Sequence, residues 1–472
     1  MLPILFEQRM REFLGEKYEA FEQSFQREAY HSLRWNPLKR YEGMDHALFL
    51  VPETLNKEFH LSPVAWEEKG FYYEEGDAPG KHPYHDAGVY YIQEASAMLP
   101  VNLLEPKPGE YVLDLCAAPG GKSTQIAAAL EGKGLLVSNE IHPARAKILS
   151  ENIERMGVNN ALVTNEAPSA LTPYFPAFFD KILVDAPCSG EGMFRKNEEA
   201  VSQWSQENVE LCAKRQREIL DTAASMLAPG GRLVYSTCTF APQENEENIL
   251  WFLKTHPEFT AEEIPESYYG MTGYQKEYTG MLRIYPHLTK GEGHFAAVLK
   301  KEGQRPERVL AQSFVKDNIS EKKSKKKSPF AKEEWRAAYE EFCSSVLTIL
   351  PEDFFSNSGF VTFGDQLYLK PVGITNLTGL HILRPGLHLG TLKKGRFEPA
   401  HALALCLSGK EVRFFDSLDS KESTVTQYLN GQTYPKQGQK GWYLIQVDGF
   451  SLGWGKLAGG VMKNHYPKGL RY

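Results

Sequence analysis

Apolar residues between positions 111 and 300 come in short runs, separated by stretches with helical periodicity. The runs are YVLDLC (111–116), LLVSNE (135–140), ALVTN (161–165), DKILVDAP (180–187), RLVYSTCT (232–239) and HFAAVLK (294–300). Their near-continuous hydrophobicity predicts strands covered on both faces. Among the stretches between them, STQIAAALE (123–131) and RAKILSENIERMG (145–157) read as helices. This alternation predicts an α/β fold, a Rossmann-like doubly wound sheet of parallel strands. Ligands of such sheets bind outside the carboxyl ends of the strands.

The flanks read differently. Residues 1 to about 70 show mostly helical, charge-rich patterning. The opening MLPILFEQRMREFLGEKYEAF is an amphipathic helix without the basic start and cleavage site of a signal peptide. After residue 302 the lysine run at 322–327 reads as a solvated linker. A helix pattern, EEWRAAYEEFCSSVLTIL (333–350), then precedes short strands punctuated by glycine. The expected division is 1–85, 86–302, a charged linker at 303–330, and a C-terminal module at 331–472.

Hydrophobic content of 42% and charged content of 24% are those of an ordinary soluble protein. No apolar run reaches the roughly 18 residues of a spanning helix, so no membrane is expected. Six cysteines with no CxxC pair argue against disulfides and zinc, and for a reducing cytoplasm. His85, His142 and His294 fall in no metal-ligand spacing; no metal is expected, and none of the three is given a role. The net charge of −7 hides a basic end: residues 436–471 hold six Lys/Arg and one acid, Asp448.

LDLCAAPGGKSTQIA runs strand, tight turn, helix. Gly120 and Gly121 let a ligand approach the backbone, and the helix offers its free N–H groups. A phosphate-binding P-loop would need glycine at 116, which is Cys116, so that reading fails on spacing. Glu140 ends the next strand, where an acid can bind ribose hydroxyls. Asn165 or Glu166 at the third strand end is placed to touch an adenine. Together these suit S-adenosyl-L-methionine.

Two cysteines, Cys188 in DAPCSGEG and Cys238 in STCTF, sit in polar turns at strand ends, unlike Cys406 in the apolar HALALCL. Such a pair suits methylation of cytosine C5, a poor nucleophile. A thiolate adding to C6 activates C5, and a second group assists proton removal and thiol release. N3 then needs a proton, which Asp185 can donate if its site keeps it protonated.

CAAPGGKS, DAPCSGEG and STCTFAPQENEENI resemble the motifs of the Sun/Nop-type RNA cytosine-C5 methyltransferases, whose domain is a class I methyltransferase sheet. The resemblance covers about residues 30–300, through RWNPLK (34–39), YIQEASAMLP (91–100) and RIYPHLTKGEGHFAAVLKK (283–301). It implies Cys238 as nucleophile and Cys188 as the residue needed for product release. It also implies that Cys116, Ala117, Ala118, Pro119, Gly120, Gly121, Lys122, Glu140, Arg145 and Asp185 line the cofactor site, with Gln93–Ser96 in support. DNA cytosine-C5 enzymes instead use a Pro-Cys nucleophile, which Pro187–Cys188 would match, but they lack the STC cysteine.

The C-terminal segments 380–405 and 449–472 mix glycine turns, basic residues and aromatics, a composition suited to RNA. They resemble the PUA-like tail of RsmF-type ribosomal RNA methyltransferases, which places a PUA-like module at about 375–472. The resemblance implies action on small-subunit (16S) ribosomal RNA or the small ribosomal subunit; a monomer is the default expectation. Arg34 and Lys39 are candidates for a share in RNA binding. The rival readings are a transfer RNA cytosine-C5 methyltransferase and a non-catalytic RNA-binding assembly factor.

Overall fold

The computed structural model describes residues 2–39, 53–271, 278–305, 332–355, 357–374, 377–393 and 395–471. The lysine run at 322–327 lies outside them. Five predicted strands form the parallel heart of the molecule: β1 (Tyr111–Asp114), β2 (Leu135–Asn139), β3 (Ala161–Thr164), β4 (Phe179–Asp185) and β5 (Leu227–Thr237). Their spatial order is β5-β4-β1-β2-β3, all parallel. The order reverses between β1 and β4, so the binding crevice opens beyond their carboxyl ends. Both predicted helices are present, as Gly121–Leu130 and Pro143–Arg155.

The sheet continues beyond this core with β6 (Phe259–Ala261), β7 (Met281–Ile284), β8 (His294–Lys301) and β9 (Ile382–Arg384). The last predicted strand, β8, is not parallel: it runs antiparallel to β5, with Phe295 opposite Thr237. It forms an antiparallel hairpin with β7 across the short link 285–293 and lies between β6 and β5, antiparallel to both. β9 pairs antiparallel with β3, so the C-terminal part of the chain donates a strand to the central sheet.

The N-terminal helices Ile4–Leu14 and Tyr18–Ser24 are present. An unforeseen antiparallel sheet follows, in the order Ser62–Val64, Glu67–Tyr73, His31–Trp35, Tyr90–Ile92. Two of its strands are only three residues long and Glu67–Tyr73 opens on three charged residues, so local pattern hides them. The sheet's Leu33, Trp35 and Tyr90 share one apolar core with Tyr443, Phe450 and Leu452 of the C-terminal part. That part is built on two further sheets. One is four-stranded and antiparallel, from Asn357 to Pro399; the other has five strands, from Phe415 to Asn464.

Candidate active site

β1 ends at Asp114, the chain turns through Cys116–Gly120, and the helix begins at Gly121. Gly120 has a φ of 115°, which a side chain would strain, and an added Cβ would lie 3.2 Å from Leu149. Arg145 Nη2 donates to Ala118 O at 2.8 Å and Asn152 Nδ2 to Pro119 O at 2.9 Å, fixing the loop from outside. From behind, the Arg34 guanidinium donates to Gly121 O and Gln93 Oε1, both at 3.0 Å.

Arg34 is therefore no RNA contact: it is 1% exposed and braces this loop. Lys39 is likewise buried, donates to Leu405 O at 2.7 Å, and has its amine pushed down to about 7 by burial. Both expectations of RNA binding fail because these side chains hold packed segments together.

Asp114 was not singled out from sequence, though it ends the first strand. Its Oδ2 accepts from Ser123 Oγ at 2.7 Å, while Oδ1 has no partner among the described residues. Burial pushes its carboxyl up to about 7. An unpaired buried acceptor beside free helix N–H groups fits a ligand carrying both an ammonium and a carboxylate, as S-adenosylmethionine does.

Glu140 is buried, accepts from His142 N at 2.9 Å and lies 3.7 Å from Arg145. Asn165 Nδ2 donates to Glu140 O at 2.6 Å and to Ile141 O at 2.9 Å. Glu166 accepts from His381 N at 2.6 Å, just before β9. Both side chains thus make hydrogen bonds to protein and brace the crevice wall.

Asp185 ends β4 at the crevice floor. Lys122 Nζ donates to its Oδ2 and Ser236 Oγ to its Oδ1, each at 2.7 Å. Burial raises this carboxyl, but Lys122 and His294 outweigh that effect and hold it well below the usual carboxylate range. The site therefore holds Asp185 as a carboxylate, correcting the expectation that it is kept protonated.

The two cysteines, fifty positions apart, meet at an Sγ–Sγ distance of 3.2 Å. Both are free thiols, partly exposed. Cys188 is pushed far above the usual thiol range, first by its hydrogen bond with Cys238 and then by burial.

Glu244, missed in the acidic stretch QENEEN, ties the two cysteine loops together. Its Oε2 accepts from Ser189 N at 3.0 Å and Gln216 Nε2 at 2.8 Å, and Ser189 Oγ donates to Oε1. Ser189 Oγ also lies 2.9 Å from Thr239 Oγ1. Burial raises the Glu244 carboxyl to about 7.

A carboxyl raised on folding keeps its stabilising proton below its unfolded value and loses it as pH rises through about 7. Stability should therefore fall between about pH 4.5 and 7, by up to about 3 kcal/mol from this group. Glu244→Gln keeps an acceptor for Ser189 and is expected to flatten that slope in urea titrations at several pH values. An unchanged slope would show that Glu244 does not titrate there.

N-terminal aromatics Phe6 and Phe21 pack on Phe194 and Phe240, which follow the two cysteine loops. Arg9 reaches Glu191 at 2.6 Å, and Glu191 also accepts from Phe240 N at 3.0 Å. In the C-terminal five-stranded sheet, Trp442, Lys456 and Lys463 lie in cross-strand register, with the Lys456 amine 5.0 Å from the Trp442 ring. Among the described residues no helix is long and apolar enough to cross a membrane, and no His/Cys/Asp/Glu group suits a metal.

Family models match almost the whole chain in four pieces. Residues 101–300 match 16S rRNA methyltransferase RsmB/F, and residues 2–95 the N-terminal domain of 16S rRNA methyltransferase RsmF. Residues 341–407 match the first C-terminal domain of RsmF, and 415–472 its PUA domain. Ribosomal RNA small subunit methyltransferase F of Vibrio vulnificus is 34% identical over 448 residues, covering 93% of this chain and 90% of that protein. The Escherichia fergusonii protein of the same name is 33% identical, covering 99% and 96%.

A solved methyltransferase homologue from Pyrococcus horikoshii superposes with a TM-score of 0.55 at 29% identity, covering 63% of this chain and 94% of that one. NSun6 from Pyrococcus horikoshii, 22% identical with a TM-score of 0.54, covers 64% and 99% and shares the fold. The chain belongs to the ribosomal RNA small subunit methyltransferase F family, and is an RNA-binding, S-adenosylmethionine-dependent rRNA methyltransferase.

Proposed function

We propose that the enzyme methylates C5 of cytosine in 16S ribosomal RNA through a covalent bond between Cys238 and C6. The observation that carries this reading is the 3.2 Å approach of two free thiols at the crevice floor, beside Asp185. The bound cofactor, held by Cys116 to Lys122, Glu140 and Arg145, supplies an electrophilic methyl group. Cys238, as thiolate, bonds to C6 and makes C5 nucleophilic while N3 gains a proton. After transfer the C5 proton is removed, and Cys238 leaves with the electrons of its bond to C6, assisted by Cys188. The target base must leave its stack to reach the crevice.

The test incubates the enzyme with unmodified 16S rRNA, or small subunits, and methyl-labelled cofactor, then hydrolyses the RNA. Label in 5-methylcytidine is expected; label in another nucleoside would overturn the reading. Label entering transfer RNA alone would move the enzyme to that substrate class.

The Trp442–Lys456–Lys463 strip, with exposed Arg396 and Lys440 in the same part of the chain, suits unpaired RNA: a ring to stack on a base and cations for phosphates. Trp442→Ala is expected to weaken RNA binding by about 1–3 kcal/mol. Lys463→Ala should lower the salt slope of binding by roughly one. Filter binding across a salt series reads both, and unchanged affinity in both variants would remove this face from the RNA path.

A further inference from the structure

An imidazole that the chemistry above does not use stands beside the cysteine pair. His294 opens β8 and is 5% exposed. Because Phe295 pairs with Thr237, His294 falls beside the strand end that carries Cys238. Its Nδ1 lies 3.3 Å from Ser96 Oγ. Ser96 has one hydroxyl proton, which it donates to Glu94 Oε2. Ser96 must therefore accept from the ring, which makes Nδ1 the protonated nitrogen. Nε2 has no hydrogen-bond partner among the described residues and lies 3.9 Å from Asp185 Oδ1. Catalytic hydrogen bonds often run long without substrate and tighten when it binds. Glu94, Ser96, His294 and Asp185 thus form one line from a half-buried carboxylate to the reaction centre.

This line meets a need of the cytosine reading, on which the inference rests. N3 requires a proton when Cys238 bonds to C6, and Asp185, held as a carboxylate by Lys122, carries none to give. We infer that His294 is the proton-relay residue: its imidazolium passes the Nε2 proton through Asp185 to N3, and recovers it when Cys238 leaves.

The electrons balance. As the sulfur bonds to C6, the C5–C6 π pair moves to C4–C5 and the C4–N3 π pair to N3, which takes the proton. After methyl transfer the C5 proton passes to solvent water, the C5–H pair becomes the C5–C6 π bond, and the C6–S pair returns to sulfur. N3 then gives its proton back through Asp185 to His294.

The test compares the wild type with His294→Gln and His294→Ala, using 16S rRNA and labelled cofactor. A kcat lower by about 100-fold, with cofactor affinity and the KM for RNA unchanged, is expected. Added imidazole should restore His294→Ala by about tenfold or more, because a small base can occupy the vacated space. Near-wild-type turnover in His294→Gln, or no imidazole rescue of His294→Ala, would overturn the relay. A wild type that makes no 5-methylcytidine would instead sink the cytosine reading.

Discussion

Cys238→Ala is expected to lower methyl transfer by at least about 10⁴-fold, because no other group can form the bond to C6. Cofactor binding should survive, since the cofactor loop is held by Arg145, Asn152 and Arg34, none of which touches Cys238. The same change should be felt at its partner. The hydrogen bond to Cys238 is the first reason the Cys188 thiol is raised. Without it, Cys188 should titrate at lower pH, and alkylation of Cys188 by iodoacetamide should speed up at a fixed pH near 8. Full activity in Cys238→Ala, or no change in Cys188 reactivity, would contradict the paired arrangement.

Lys122→Met is expected to lower both stability and methyl transfer. Lys122 is 12% exposed and Asp185 29% exposed, so removing the cation leaves a largely buried carboxylate uncompensated. Breaking a fully buried pair costs roughly 3–5 kcal/mol; the partial exposure here reduces that to about 2 kcal/mol. The Asp185 carboxyl should rise, because burial, its largest influence, then acts with its main opponent gone.

The sign in the wild type is that of a depressed carboxylate. Its stabilisation is present above the unfolded value and is lost as pH falls below the ordinary carboxylate range. Lys122→Met should remove that acid-side loss and lower Tm at neutral pH. Lys122→Met with Asp185→Asn should recover much of the Tm while leaving methylation near background. Recovery of activity along with Tm would mean that the pair serves only stability.

The parallel heart of the fold was readable because β1 to β5 are nearly continuous apolar runs, and both cysteine loops follow such runs. The direction of β8 was not readable, since its apolar pattern is the same whichever way it runs. The N-terminal sheet escaped because Glu67–Tyr73 carries three charged residues and pairs with a strand far away in sequence. Asp185 was found, but not its charge state, which depends on Lys122 across 63 positions. Glu244 was quoted only within STCTFAPQENEENI, and only the fold brings Ser189 to it. His294 was noticed and set aside, because a metal-spacing test cannot detect a serine 198 positions away.

The central claim, that Cys238 attacks and Cys188 releases, is most directly tested by incubating Cys188→Ala with unmodified 16S rRNA and labelled cofactor. The product is denatured, digested with nuclease and protease, and the peptide that retains a methylated nucleotide is sequenced by mass spectrometry. The account predicts a persistent adduct on Cys238 that disappears when Cys238 is also changed to Ala. An adduct trapped on Cys188 in Cys238→Ala, with none in Cys188→Ala, would contradict it and reverse the two roles.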